Sequence, residues 1–468
     1  MVYQKTDSLT DKESINILVE QVRLLLKRVD SLEHELSACK QELASCKEEL
    51  SNKQIIKNSG NSSMPPSSDF GKPKPNQSLR EKSDKTIGGQ PGHEGTALPF
   101  TATPDEIIRH IPSYCSNCGS GLDHIASKEL AGRQVIDIPM PAPICTEHQT
   151  FARTCLCGCV NRGEFPANVA SNIQYGPNIE TLTSYLNVRQ YMPYNRIAEF
   201  FEQTMGLNIS VGGVVGLLER FAKKAVPVYQ EIKNRIELAS TIGSDETGVK
   251  INGKNHWMWV WQNQQLTFIV PSPSRGYLTI GQTFPNGLPK AVLVHDRWAA
   301  HFQTNARDHQ ICIAHLFREL NFIHQIHQSD WAIAFKNLLK SALDLSDTLG
   351  YNPIAQSQAR NQLKKSLDGL LNQVLPKQDK FAIRIQKKLR KIPQYILCFL
   401  HQNNVPADNN GSERAIRNLK VKQKISGAFR SLEGAYNFAV IRSVIDTTIK
   451  SSQNVFQALS LIAKLRAE

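Results

Sequence analysis

No stretch of this sequence approaches the 18 or so consecutive apolar residues that a membrane-spanning helix needs, so a transmembrane protein is not expected. Met1 to Ser14 also lacks the basic-then-apolar pattern of a secretory leader, being polar with acidic and basic residues mixed. A cytoplasmic chain is expected, and there ten cysteines suit metal binding better than disulfides. Acid is in short supply: 42 Asp and Glu stand against 55 Lys and Arg, for a net charge of +13 and a pI near 9.2. That imbalance favours a polyanionic partner, of which nucleic acid is the commonest. A length of 468 residues predicts about three folded units.

What is present changes character along the chain. Over residues 10–55 the apolar positions Ile15, Leu18, Val22, Leu25, Val29, Leu32, Leu36, Cys39, Leu43, Cys46 and Leu50 alternate steps of 3 and 4. This is a coiled-coil seam, with Glu and Lys between, and it predicts self-association as a homodimer or higher. Residues 56–105 are rich in Ser, Pro, Gly, Asn and Lys (Asn61-Ser-Ser-Met-Pro-Pro-Ser-Ser68), a flexible basic linker with too little apolar surface to fold alone. Residues 106–170 carry Cys115-Ser-Asn-Cys118-Gly119 and Cys155-Leu-Cys157-Gly158-Cys159. Two such knuckles can supply four thiolates to one structural Zn2+, here expected from Cys115, Cys118, Cys155 and Cys157, with Cys159, Cys145 and His148 in reserve. Residues 175–235 read as helical, and Asn195 to Thr204 with Ser210 to Lys223 could form a helix-turn-helix. The apolar Val211 to Leu218 equally suits a packing helix.

At Ser240 the period drops from 3.6 to 2. Thr241 to Val249, His256 to Trp261 and Leu266 to Val270 read as a three-stranded meander, with a tight turn at Asn252-Gly253. A helix near Tyr277 to Phe284, a buried strand Ala291 to Asp296, a short strand Gln310 to Ala314 and a further helix follow. This is the element order of a ribonuclease H-like mixed sheet. The predicted architecture is an α/β catalytic core from 236–324 and 402–450, interrupted by an all-helical basic insertion at 325–401 and closed by a C-terminal helix at 451–468.

Three carboxylates fit that sheet. Asp245 lies in its first strand and Asp296 at the end of its fourth, which neighbours the first; Glu413 lies on a later helix entered at Asn409-Asn410-Gly411-Ser412. Hard oxygen ligands in this order suit two Mg2+ ions catalysing displacement at phosphorus. Strand alternation turns Glu246 away from Asp245, and Asp308 is an outside alternative to Asp296. Arg417, Lys420 and Lys424 follow Glu413 at helical spacing and suit a phosphate backbone; a solvated helix face is the plainer reading.

The chain resembles a DDE transposase of the insertion sequence 66 family over nearly its whole length. The resemblance rests on Asn61 to Asp69, the cysteine knuckles, Ser244-Asp245-Glu246-Thr247, Ala314-His315-Leu-Phe-Arg318, Asn409-Asn410-Gly-Ser-Glu413-Arg414-Ala-Ile-Arg417 and Ser426 to Ser431. It implies cutting and joining at the terminal inverted repeats of the protein's own element, with Asp245, Asp296 and Glu413 as the acidic triad. It further implies supporting roles for His315 and Arg318, and DNA contacts from Arg414 beside Arg417, Lys420 and Lys424. Terminal-repeat and target DNA are the implied partners, with room for element-encoded helper proteins, and the implied setting is the bacterial nucleoid. A zinc-containing DNA-binding repressor and a ribonuclease H-like nuclease remain the rival readings.

Overall fold

The computed structural model describes residues 11–54, 92, 99–139, 141–349, 357–402 and 404–465. Most of the expected linker therefore lies outside the described residues. The chain divides into two compact units, one comprising Met1–Lys72, Ile173–Pro193 and Val215–Glu468, the other Pro73–Asn172 and Tyr194–Val214. Among the described residues no helix is long and apolar enough to cross a membrane.

In the first unit, α1 runs Asp11–Gln54 and α2 runs Pro177–Ser184. Every side chain described on α1, Val19, Glu20 and 22–44, is exposed, including the seam residues Val22, Leu25, Val29, Leu32, Leu36 and Leu43. The helix is as expected; a single chain holds no second strand for it.

The second unit has little regular structure. A two-stranded antiparallel hairpin pairs β1 (Ala152–Thr154) with β2 (Val160–Arg162), and α3 spans Tyr194–Met205. Ser210 accepts a hydrogen bond from the Gly213 amide (3.0 Å), the expected cap on α4, Val211–Glu237. That helix is longer than expected, and its apolar stripe (Val214, Leu217, Leu218, Phe221, Ala225) is buried. This is the pattern of a packing helix rather than of one presented to a groove.

The first unit's core is a five-stranded mixed sheet of order β5-β4-β3-β6-β7. It is made of β3 (Thr241–Ile251), β4 (Lys254–Gln262), β5 (Thr267–Ser272), β6 (Leu288–His295) and β7 (Ala306–Ile311). The first three form an antiparallel meander, and β6 and β7 run parallel to β3. Asn252 (φ 47°) and Gly253 (φ 72°) make the β3–β4 turn, because a two-residue hairpin needs left-handed backbone that Asn and Gly adopt at least cost. On β4, Met258, Trp259, Val260 and Trp261 are all buried, so both faces of this strand are covered. Helix α13 (Leu432–Lys450) lies against β5, where the Ser443 and Thr447 hydroxyls accept from the Ile269 and Thr267 amides and satisfy donors that an edge strand would leave open.

Between β5 and β6 lies α5 (Tyr277–Thr283), and α6 (Ala299–Phe302) follows β6. The last strand begins earlier than expected, at Ala306 rather than Gln310, and helix α7 takes over at Ile313 (Ile313–His327). Arg307, Asp308 and His309 carry no apolar alternation, so the strand is invisible to a hydrophobic pattern. After α7 come α8 (Asp330–Leu349), α9 (Ser357–Asn372), α10 (Lys380–Leu389) and α11 (Cys398–His401). Their buried residues Phe335, Leu339, Leu389 and Phe399 join Val292, Val294 and Ile311 of the sheet in one hydrophobic cluster. The chain then enters α12 (Asn410–Ser426) and, beyond α13, ends in α14 (Val455–Ala463).

A buried cation fastens α13 to the segment before α3. The Arg442 side chain is fully buried, donating to the Val188 carbonyl (3.1 Å), to the Tyr191 hydroxyl (3.0 Å) and to Asp446. Tyr191 in turn donates to Asn418 on α12 (2.8 Å) from a left-handed backbone (φ 60°). Removing one partner of a buried ion pair strands the other, at about 3–5 kcal/mol. Arg442→Ala should therefore lower the unfolding free energy measured in urea by that order, whereas Arg442→Met combined with Asp446→Leu should cost much less.

Candidate functional site

Asp245 sits two residues beyond Gly243, where β3 pairs with Val294 of β6. Asp296 follows directly after the last residue of β6. The parallel register therefore brings the two aspartates level on adjacent strands, Asp296 just past the end of β6 and Asp245 midway along β3. Past Asp296 the backbone turns sharply through Arg297 (φ 74°). The Asp296 carboxylate accepts from the Trp298 amide (3.0 Å), and His295 Nδ1 accepts from the Arg297 amide (3.1 Å). These bonds hold the Asp296 side chain at the strand's end.

Glu413 arrives on α12, and four residues account for its position. Asn409 donates from its amide nitrogen to the Ser244 carbonyl of β3 (2.8 Å) and accepts from the Ser412 hydroxyl (2.7 Å). Gln262 of β4 reaches the same hydroxyl (3.4 Å). The helix comes so near the sheet that a Cβ on Gly243 would stand 2.6 Å from Asn409 Oδ1 and from Gln262 Nε2, and one on Gly411 would stand 2.5 Å from Gln262 Nε2. Glycine suits both places by close approach, not by turn geometry: a larger residue would have to displace the side chains of Gln262, Asn409 or Ser412. Asn409, Ser412, Gln262 and Gly243 have no assigned role in the sequence reading. A glycine inside an otherwise regular strand was the available signal for one of them.

Helix α7 reaches Glu413 from another side. Arg318 donates to Glu413 Oε1 (3.1 Å), and His315 Nδ1 lies 3.8 Å from the same oxygen. Burial, then the Arg318 charge, lowers His315 to about 4 against the pull of Asp296, so this imidazole is neutral at pH 7. Arg297 pairs with Glu319 on the same helix. Burial, then Asp296, Glu246 and Glu413 in turn, hold the Asp245 carboxyl well above the usual carboxylate range. The three candidate carboxylates are thus within electrostatic reach of one another.

The alternatives are occupied elsewhere. Glu246 is buried, accepting from Arg275 (2.7 Å) and facing His301 (3.4 Å). Against the upward effect of burial, His301 and then Arg275 bring its carboxyl below the usual range. Asp308 accepts from Gln402 (2.7 Å) and contacts Cys398, and it is not among the charges that raise Asp245.

The expected cations of α12 divide. Arg414, Arg417 and Lys424 are exposed and, among the described residues, make no ion pair. Lys420 is half-buried and donates to the Gly248 carbonyl of β3 (2.9 Å), so its ammonium serves to tie helix to strand.

Each cysteine pair forms a compact turn. The Gly119 amide donates to the Cys115 carbonyl (2.9 Å) with Gly119 at φ 72°, and the Gly158 amide to the Cys155 carbonyl (2.8 Å) with Gly158 at φ 81°. Contact with Ser120, then with Cys115, lowers the Cys118 thiol to about 7, and the Cys157 backbone lowers that of Cys155. Thiols disposed to ionise suit a thiolate-bound metal. The two pairs are not gathered: among the described residues, no three His, Cys, Asp or Glu side chains stand together as a metal-holding group. The same holds for Asp245, Asp296 and Glu413, whose donor chemistry suits a hard divalent cation but whose spacing is that of an electrostatic cluster.

A model described as the transposase IS66 family matches residues 172–437, and one described as a family of unknown function (DUF6444) matches residues 5–99. No curated protein matches the chain.

A carboxyl raised by its neighbours has a consequence for stability. The folded state holds the Asp245 proton more tightly than the unfolded chain does, so this group's contribution falls as pH rises from about 4 through the raised value. Asp245→Asn keeps the acceptor for the Glu246 amide (2.9 Å) and removes the charge. In EDTA it should melt above the wild type at pH 7.5, with the difference closing as pH falls toward 4; an unchanged melting temperature at both pH values would contradict the electrostatic account.

Proposed function

The chain belongs to the IS66 transposase family, and on that premise we propose that it cuts DNA at the terminal inverted repeats of its own element and joins the freed ends to target DNA. The observation that carries this reading is the convergence of Asp245, Asp296 and Glu413, from three distant parts of the sequence, closely enough that the other two raise the first. Their environment is polar and basic, with Arg318 and a neutral His315 beside Glu413. We assign Asp245, Asp296 and Glu413 as the residues that would hold two Mg2+ ions. Bound there, the metal would activate the attacking water or 3′-hydroxyl and stabilise the leaving oxygen.

The protein's own contribution is placement. Asp245 and Asp296 project from a rigid sheet, while Arg318 restrains the Glu413 carboxylate on its helix. Arg414, Arg417 and Lys424 would face the phosphate backbone beyond it. Lys420 is left out of that surface because Gly248 engages it. One structural Zn2+ would draw Cys115, Cys118, Cys155 and Cys157 together, and of these Cys118 and Cys155 are already disposed to ionise. Self-association through α1 would hold two element ends in one complex.

With Mg2+ and labelled DNA carrying the element's ends, Asp245→Ala, Asp296→Ala and Glu413→Ala should each lose nicking and strand transfer by at least about 1,000-fold, a loss of about 4 kcal/mol in barrier terms, while binding persists. Activity retained in any one of them would remove that residue from the site, and binding without cutting by the wild type would favour a DNA-binding repressor. Separately, Arg417→Ala should reduce the slope of log K against log salt by about 0.9, as for one lost phosphate contact. Lys420→Ala should leave the slope unchanged.

A further inference from the structure

Along α1 the residues flanking the apolar seam carry more information than the seam. With Val22, Val29, Leu36 and Leu43 at the first core position of each heptad (a), Leu25, Leu32 and Cys39 fall at the second (d). β-Branched residues at a with leucine at d, as in Val22, Leu25, Val29 and Leu32, favour two parallel strands over three or four. The flanking position just before a, called g, holds Arg28 and Glu35, and the one just after d, called e, holds Glu33 and Lys40.

In a parallel, unstaggered pair, a g residue meets the e residue five positions further along the other helix. Arg28 then meets Glu33 of the second copy, and Glu35 meets its Lys40. Both contacts join opposite charges, and symmetry doubles them. Five positions are out of reach within one helix, where partners lie three or four apart. Among the described residues Arg28, Glu33 and Lys40 make no ion pair within the chain; the ion pair on this helix is Arg23 with Glu20. In the antiparallel register that sets Val22 opposite Cys39, Arg28 would still meet Glu35 of the second copy, but Glu33 and Lys40 would face Leu26 and Val19, so only the parallel pair matches all four charges.

We infer that α1 is one strand of a parallel, in-register, two-stranded coiled coil formed with a second copy of this chain, in which Cys39 stands opposite Cys39. The occupant is argued from charge complementarity along the flanks and from the core residue types. The inference rests on the reading of α1 as a self-association helix and adds its orientation. That orientation has a functional consequence. A 44-residue helix is about 66 Å long at 1.5 Å per residue. A parallel pair releases both chains from the same end of that rod, whereas an antiparallel pair would release them from opposite ends. Only the parallel form tethers two catalytic units side by side for two DNA ends.

The test uses the full chain. Light scattering gives the assembly size, and a short bismaleimide with peptide mapping reports which thiols meet. A dimer yielding a Cys39–Cys39 link, abolished by Cys39→Ser without loss of the dimer, is the expected result. A dimer lacking that link, or a trimer, would overturn the parallel two-stranded arrangement while leaving self-association intact. A monomer would overturn both. As a second measurement, Glu33→Arg should raise the dimer dissociation constant several-fold, and adding Arg28→Glu should restore it. Failure of that rescue would exclude the Arg28–Glu33 contact and with it the register.

Discussion

The site depends on one close contact, the approach of α12 to the β3–β4 face. Gly243 and Gly411 permit it, and Asn409 locks it by spanning from the Ser244 carbonyl to the Ser412 hydroxyl. A helix normally packs about 10 Å from a sheet because side chains lie between them. Here backbone meets amide directly, so Glu413, one residue past Ser412, has little freedom of height or rotation. Lys420, two turns on, repeats the arrangement by donating to Gly248. The lower half of α12 is thus pinned to β3 at two points along its length, with Glu413 just beyond the first.

That rigidity has an electrostatic cost. Burial first, and then repulsion from Asp296, Glu246 and Glu413, keeps the Asp245 carboxyl raised. Two features limit the cost. Arg318 lies against Glu413, and Glu246, the neighbouring acid in sequence, is turned to the other face where Arg275 and His301 compensate it. The period-two geometry of a strand therefore does chemical sorting: of two consecutive acids, one is neutralised in the core by Arg275 and His301 and the other is turned toward Asp296 and Glu413.

Much of this was legible in the sequence, for identifiable reasons. The meander could be read because β3, β4 and β5 carry apolar and aromatic residues with Asn252-Gly253 between the first two. The pairing of Asp245 with Asp296 followed from strand order alone. The clamp was not legible, because the partner of Asn409 is a backbone carbonyl 165 residues away, and a carbonyl has no sequence identity. Lys420 shows the same limit: helical spacing puts it on the face of Arg417, but the backbone acceptor it meets on β3 leaves no mark in the sequence. The start of β7 was missed because Asp308, His309 and Gln310 are held by polar partners, Gln402, His295 and the carbonyls of Ile311 and Ile396, which hydropathy does not see.

The cysteine region shows how far local sequence can build without a core. Each knuckle closes its own turn through a left-handed glycine and lowers one thiol, since those effects need only adjacent residues. Around them Ile107, Ile136, Ile138, Ile144 and Phe151 are exposed, so apolar burial supplies little to bring one knuckle to the other. Among the described residues the two turns are not gathered into a metal-holding group. What local sequence builds here stops at the single turn: neighbours can place a glycine and the amides beside it, whereas bringing distant segments together needs buried surface that these residues lack.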